Sequence, residues 1–170
     1  MKIIEALKKI KDLARKATDI KERIRNYCTD MDYENPVYPD QKAQVSEWLQ
    51  SYKDLVREIG RIKYCIQKTN VMTKVTITLD NNDVSKSITE WIERRKNLAG
   101  MEKEAWSALT NRGLKDVRLQ QSQGQIVEAK VRYYFDPKHR DKMLDVLSSE
   151  PSLIDSKLEI INAITDLIEE

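Results

Sequence analysis

Apolar residues near the start of the chain recur at alternating spacings of three and four. Ile3, Ala6, Ile10, Leu13, Ala17, Ile20, Ile24 and Tyr27 form the row, which is the period of a coiled-coil seam. It predicts a helix over residues 2–28. A seam this narrow is not stable alone in water and calls for a partner helix. Pro36 and Pro39, with Asp30, Asp32 and Asn35, break the pattern and predict a short connection. Asp40 then stands where it can cap a second helix. Val45, Leu49, Tyr52, Val56, Ile59, Ile62 and Ile66 keep helical spacing over 41–68, and Trp48 and Leu55 widen the stripe. Two long helices joined by a short loop predict an antiparallel hairpin over residues 1–70. Gly60 lies inside the second helix, where glycine costs up to about 1 kcal/mol against alanine. A close helix crossing is expected there.

The period then changes to two. Val75, Ile77 and Leu79 alternate with Thr76 and Thr78, predicting an extended strand and turn over 71–83. Asp80 to Asp83 are read as a turn that also caps a third helix, over 84–112. Ile88, Trp91, Ile92, Leu98, Met101, Ala105 and Leu109 make its stripe, and Asn111-Arg112-Gly113 its end. Residues 113–136 read as a polar loop to Gly124 and then a strand from Ile126 to Phe135. The natural partner of that strand is the extended piece at Thr73–Leu79. Pro137 opens a C-terminal helical region over 137–170, and Pro151 predicts a kink or a new start within it. Its last helix carries Leu153, Ile154, Leu158, Ile161, Ile164 and Ile168. The expected fold is therefore mainly α: a long antiparallel hairpin or bundle with a small two-stranded β element, in one domain of 170 residues and oligomeric.

Composition narrows the chemistry. Hydrophobic residues make up 40% and charged residues 34%, with 4 Gly and 4 Pro. That is too apolar for a disordered chain and too poor in Gly and Pro for a loop-built one. A single His and two Cys far apart (His139, Cys28, Cys65) cannot build a Cys/His zinc site. No phosphate loop, dinucleotide fingerprint or nucleophile motif occurs. No cofactor is expected and the chain is not read as an enzyme. The cysteine usage, with no signal peptide and no apolar run of membrane-spanning length, predicts a cytoplasmic protein without a membrane partner.

The net charge of +2 is unevenly spread. Met1 to Thr29 holds nine Lys/Arg against four Asp/Glu, and Met143 to Glu170 one Lys against seven acids. Opposite charge at the two ends predicts terminal helices lying side by side, within a chain or between chains. The near-neutral total argues against a nucleic-acid binder.

Three stretches resemble landmarks of the septicolysin-like family of small bacterial and phage proteins. They are Ile62 to Asn70, Ser87-Ile88-Thr89-Glu90-Trp91-Ile92-Glu93-Arg94-Arg95, and Ile154-Asp155-x-x-Leu158-Glu159-x-x-Asn162. The chain departs from that pattern at Lys96, Ala163 and Pro151. The resemblance implies a helical bundle and no settled activity.

Several residues are candidates for binding an anion. Thr69 and Asn70 close the second helix, as a cap or as a polar pair beside a pocket. Arg94 and Arg95, with Arg112, could line an anion site, against the plainer reading of a solvated face or ion pairs with Glu90 and Glu93. Asn111 to Lys142 holds eight Lys/Arg against four acids. Within it Arg118 is one more cation, and Lys130, Arg132 and Tyr134 fall on one face of the expected strand, two cations and an aromatic pointing one way. The resulting expectation is a non-enzymatic, self-associating binding protein. Its specific form, suggested by the resemblance to a family found in phages, is an anti-defence sponge that sequesters a phosphate-bearing signalling nucleotide. The alternative is a structural or protein-interaction coiled-coil module with no small-molecule ligand.

Overall fold

A computed structural model describes residues 1–120 and 126–169. The chain is mainly helical, with two small antiparallel β-ribbons. It divides into two compact units: Met1–Thr73 with Leu158–Glu170, and Lys74–Lys157.

The first unit is built on a helical hairpin, α1 (Ile3–Tyr27) and α2 (Gln41–Met72). The Glu5 carboxylate accepts from the Lys2 amide at α1, and Asp40 Oδ1 accepts from the Ala43 amide at 2.9 Å at α2. Antiparallel pairing shows in contacts at both ends. Lys9 Nζ meets Glu58 at 2.9 Å, and Tyr27, Tyr38 and Trp48 cluster near the loop with centroids 5.3–5.9 Å apart. Ala6 and Ala17 of α1 and Trp48, Ile62, Cys65 and Ile66 of α2 are buried. Gly60 marks no close crossing. It is exposed, and nothing lies within 4 Å of where its Cβ would stand.

The C-terminal segment completes this unit. The predicted final helix through Ile168 stops at Ile164. Thr165 to Leu167 then run extended beside the chain start, with Ile3 N donating to Thr165 O at 3.1 Å and Leu167 N to Met1 O at 2.8 Å. The Lys2 ammonium meets Asp166 at 2.7 Å. The two ends do lie side by side, through an extended strap rather than through paired helices.

In the second unit, β1 (Lys74–Leu79) pairs with β2 (Asn82–Ser87). The sequence pattern predicts a helix from residue 84, but Asn82–Ser87 is a strand. Asp80 and Asn81 take φ of 44° and 62°, the left-handed pair of a two-residue hairpin loop. The chain therefore turns back as a strand. The helix cap is Ser87, whose Oγ accepts from the Glu90 amide while Glu90 accepts from the Ser87 amide at 2.7 Å. The helix that follows comprises α3 (Ile88–Glu93), a π-helical turn (Arg94–Leu98) and α4 (Ala99–Ser107). Trp91 is fully buried and its indole N–H donates to Val75 O at 3.0 Å, tying α3 to β1. Arg112 and Gly113 have positive φ in a turn beyond the helix end, not at it.

A second correction concerns the later strand. β4 (Ile126–Ala129) ends well before Phe135, and its partner is β3 (Val117–Gln120), not Thr73–Leu79. Local hairpin pairing costs less loop entropy than the distant pairing expected. Residues 121–125, read as the end of a polar loop, lie outside the described residues. Finally, α5 (Pro137–Ile164) runs through Pro151 without a break. Neighbouring Glu150, Leu147 and Ile154 are all buried, and this packing outweighs the missing N–H.

Candidate functional site

The residues expected to bind an anion fall in both units. Thr69 and Asn70 are in the helical unit. Thr69 is fully buried; its hydroxyl donates to Cys65 O and accepts from Ile168 N, each at 2.8 Å. Its role is to anchor the C-terminal strap. Asn70 is half-buried, with Oδ1 buried and without a hydrogen-bond partner.

The others are in the second unit. Arg94 grips the buried Glu150 with two parallel bonds, Nε at 2.5 Å and Nη2 at 2.9 Å, and its Nη1 meets Glu102 at 2.6 Å. Glu150 first, then Glu102, raise the pKa of the guanidinium above its ordinary value. Neighbouring Arg95 pairs with Asp155. Arg94–Glu150 and Arg95–Asp155 thus bind the π-helical turn to α5, and the second of them joins the second and third landmark stretches. Arg112 is exposed in its turn. Arg118, on β3, pairs with Glu128 at 3.2 Å. Lys130, Arg132 and Tyr134 lie beyond the end of β4, so no strand aligns them into a row, and Tyr134 is 89% exposed. The structure brings Arg118 and Lys130 together at one cavity of about 250 Å³, but Asp116 and Glu128 line it too. His139 sits edge-on to Trp106 at 5.4 Å. Among the described residues no three His, Cys, Asp or Glu cluster to hold a metal, and no helix is long and apolar enough to cross a membrane.

A larger feature lies along the hairpin. A groove of about 540 Å³ runs between α1 and α2, floored by Leu13, Ile20 and Leu55. All three remain half-buried, as do Ile10 and Ile24 of the same seam. Lys16, Asp19 and Arg23 form the α1 rim; Ser51, Asp54 and Glu58 form the α2 rim. One end is closed by Lys9 on Glu58, whose carboxyl is held down to about 2 by Arg61 and then by Lys9. One heptad on, among the described residues, Lys16 and Arg23 make no ion pair, and Asp54 reaches only Arg57 at 3.5 Å and Gln50 at 2.9 Å. Sequence reasoning found the seam but not this groove. A signal was present: Lys9, Lys16 and Arg23 recur every seven residues on the flank of the seam, the position that sets partner choice in coiled coils.

The profile of one protein family matches residues 10–167, from α1 to the C-terminal strap. The chain belongs to the Family of unknown function (DUF6847). No curated protein matches this DUF6847 chain. Its fold is similar to that of a functionally unknown conserved protein from Corynebacterium diphtheriae, known from a crystal structure. The identity is 17%, 99% of each chain is covered and the TM-score is 0.58. At that identity the likeness shows the shared fold alone.

Proposed function

We propose that this DUF6847 protein is a non-enzymatic helical interaction module whose working surface is the α1–α2 hairpin. One observation carries the reading: Leu13, Ile20 and Leu55 are only half-buried at the floor of a groove whose rims are charged. Burying apolar surface returns roughly 25 cal/mol per Å², so a partner helix gains most at this seam. An apolar centre inside a charged rim is the pattern of a recognition surface.

The nucleotide-sequestering reading has less in its favour. A phosphate at the smaller cavity would meet Arg118 and Lys130, but Asp116 and Glu128 as well. Arg94 and Thr69 already spend their hydrogen-bonding capacity within the fold.

In-cell photo-crosslinking tests the module. A photoreactive residue placed at Ser51, on the exposed rim, is expected to capture a protein along the groove. A matched probe at Asp141, exposed in the second unit, is the control. No adduct at Ser51 above the control overturns the reading.

A further inference from the structure

We propose that the groove is filled by a second copy of this chain, laid on about a twofold axis parallel to the helices. Each α1 then lies over the partner's α2. This inference rests on the interaction-module reading and names its partner.

The rims decide the arrangement. Two hairpins can stack face to face about a twofold axis in two ways. If the axis is perpendicular to the helices, α1 meets α1 with heights inverted, and with the axis at the middle of the groove the cations Lys16 and Arg23 come opposite one another. If it is parallel to the helices, heights along the bundle are preserved and α1 meets the partner's α2. The α1 rim then faces the α2 rim, and Lys16 comes opposite the partner's Asp54. Counting along the antiparallel hairpin from the Lys9–Glu58 pair, Lys16 is level with Ser51, so Asp54 stands three residues, about 4.5 Å, along α2, within the reach of a lysine side chain. Like charges placed opposite one another disfavour a pairing, and opposite charges fix its register. Lys16 and Arg23 outnumber Asp19 on the α1 rim, and Asp54 and Glu58 make the α2 rim acidic, so the second arrangement sets a net positive rim against a negative one on both sides of the axis. It stacks Leu13 and Ile20 on the partner's Leu55 and makes a four-helix bundle, the setting in which a heptad seam is covered on both sides.

The groove also accounts for Lys16 having no ion pair among the described residues and for Asp54 meeting only Arg57 and Gln50 there. Lys9 reaches Glu58 across the seam at 2.9 Å. One heptad further on, the helices leave a cavity where the equivalent pair would close. The unmatched Lys16 and the weakly held Asp54 stand at the mouth of that cavity, available to a copy carrying the same two residues in exchanged positions.

A charge-exchange experiment on the full chain tests this. Light scattering of the wild-type protein at tens of micromolar is expected to give a dimer. Lys16→Glu and Asp54→Lys should each weaken it about tenfold, because each substitution acts twice across the axis. Both positions are exposed, so circular dichroism should be unchanged. Mixing the two variants in equal amounts should restore the dimer, since every cross-pair then joins opposite charges. A wild-type monomer overturns the proposal, as does a dimer indifferent to both variants. A dimer tightened rather than weakened by Lys16→Glu would select the α1-on-α1 arrangement, in which that position faces a cation of the partner's α1, and overturn the proposal too. The crosslink at Ser51 separates the two claims. An adduct with the chain itself supports both, whereas an adduct only with a foreign protein leaves the module standing and overturns the self-pairing.

Discussion

Arg94 shows how one residue changes meaning between sequence and structure. Along the chain its neighbours are Glu90 and Glu93, and its charge suggests an anion site. In the fold it holds Glu150, 56 positions away, and Glu102, 8 positions away. A pairing that distant leaves no local pattern, so it was not legible in the sequence. The side chains of Arg94 and Glu150 are 18% and 4% exposed. Removing one member of a buried pair strands the other, at a cost of about 3–5 kcal/mol. Arg94→Ala is therefore expected to lower unfolding stability by about that amount in urea. Replacing both residues by Met should cost much less, because no charge is then left buried. If Arg94→Ala left stability unchanged while abolishing binding of an anionic ligand, the binding role would be the correct one. Thr69 makes the same point more quietly, since its second partner, Ile168, is 99 positions away.

At the scale of elements, legibility followed the length of the pattern. Helices α1 and α2 carry many periods of apolar spacing, and the limits of α1, the start of α2 and its Asp40 cap were readable, but α2 runs on to Met72, past the end expected at Lys68 and through Thr69 and Asn70. The short elements were not. Asp80-Asn81 is compatible with a helix cap and with a hairpin loop, and what selects the loop is pairing of β1 with β2, together with Trp91 anchoring on Val75. Pro151 misled in the opposite direction, because its local cost is overridden by the buried side chains around it. Gly60 was assigned a packing role on propensity alone, yet the space beside it is open. Gly60→Ala is therefore expected to stabilise the protein by about 0.5–1 kcal/mol, through the helix propensity gained. A raised midpoint in thermal or urea unfolding checks it. A loss of stability, together with dissociation of the proposed dimer, would mean that a second chain approaches this glycine.

For the whole molecule, the opposed charges of the two ends foretold that the ends meet, but charge is not the main reason they stay together. Lys2 and Asp166 have side chains 37% and 72% exposed, and exposed pairs contribute about 0–1 kcal/mol. The same strap buries Leu167 to 8% exposure and forms main-chain bonds to Met1 and Ile3. It also gives the Ile168 amide to the buried Thr69 hydroxyl. One buried leucine is worth about 1.5–3 kcal/mol, and each hydrogen bond adds about 0.5–1.5 kcal/mol. Asp166→Ala should thus shift the unfolding midpoint slightly, and less so in high salt. Removing the residues after Ile164 should cost about 3 kcal/mol or more, independently of salt. Urea unfolding of the two variants at low and high ionic strength separates the contributions. An Asp166→Ala loss as large as the truncation, and erased by salt, would make charge the tie. Equal salt dependence in the wild type and Asp166→Ala, with a large truncation effect, would assign it to the buried strap.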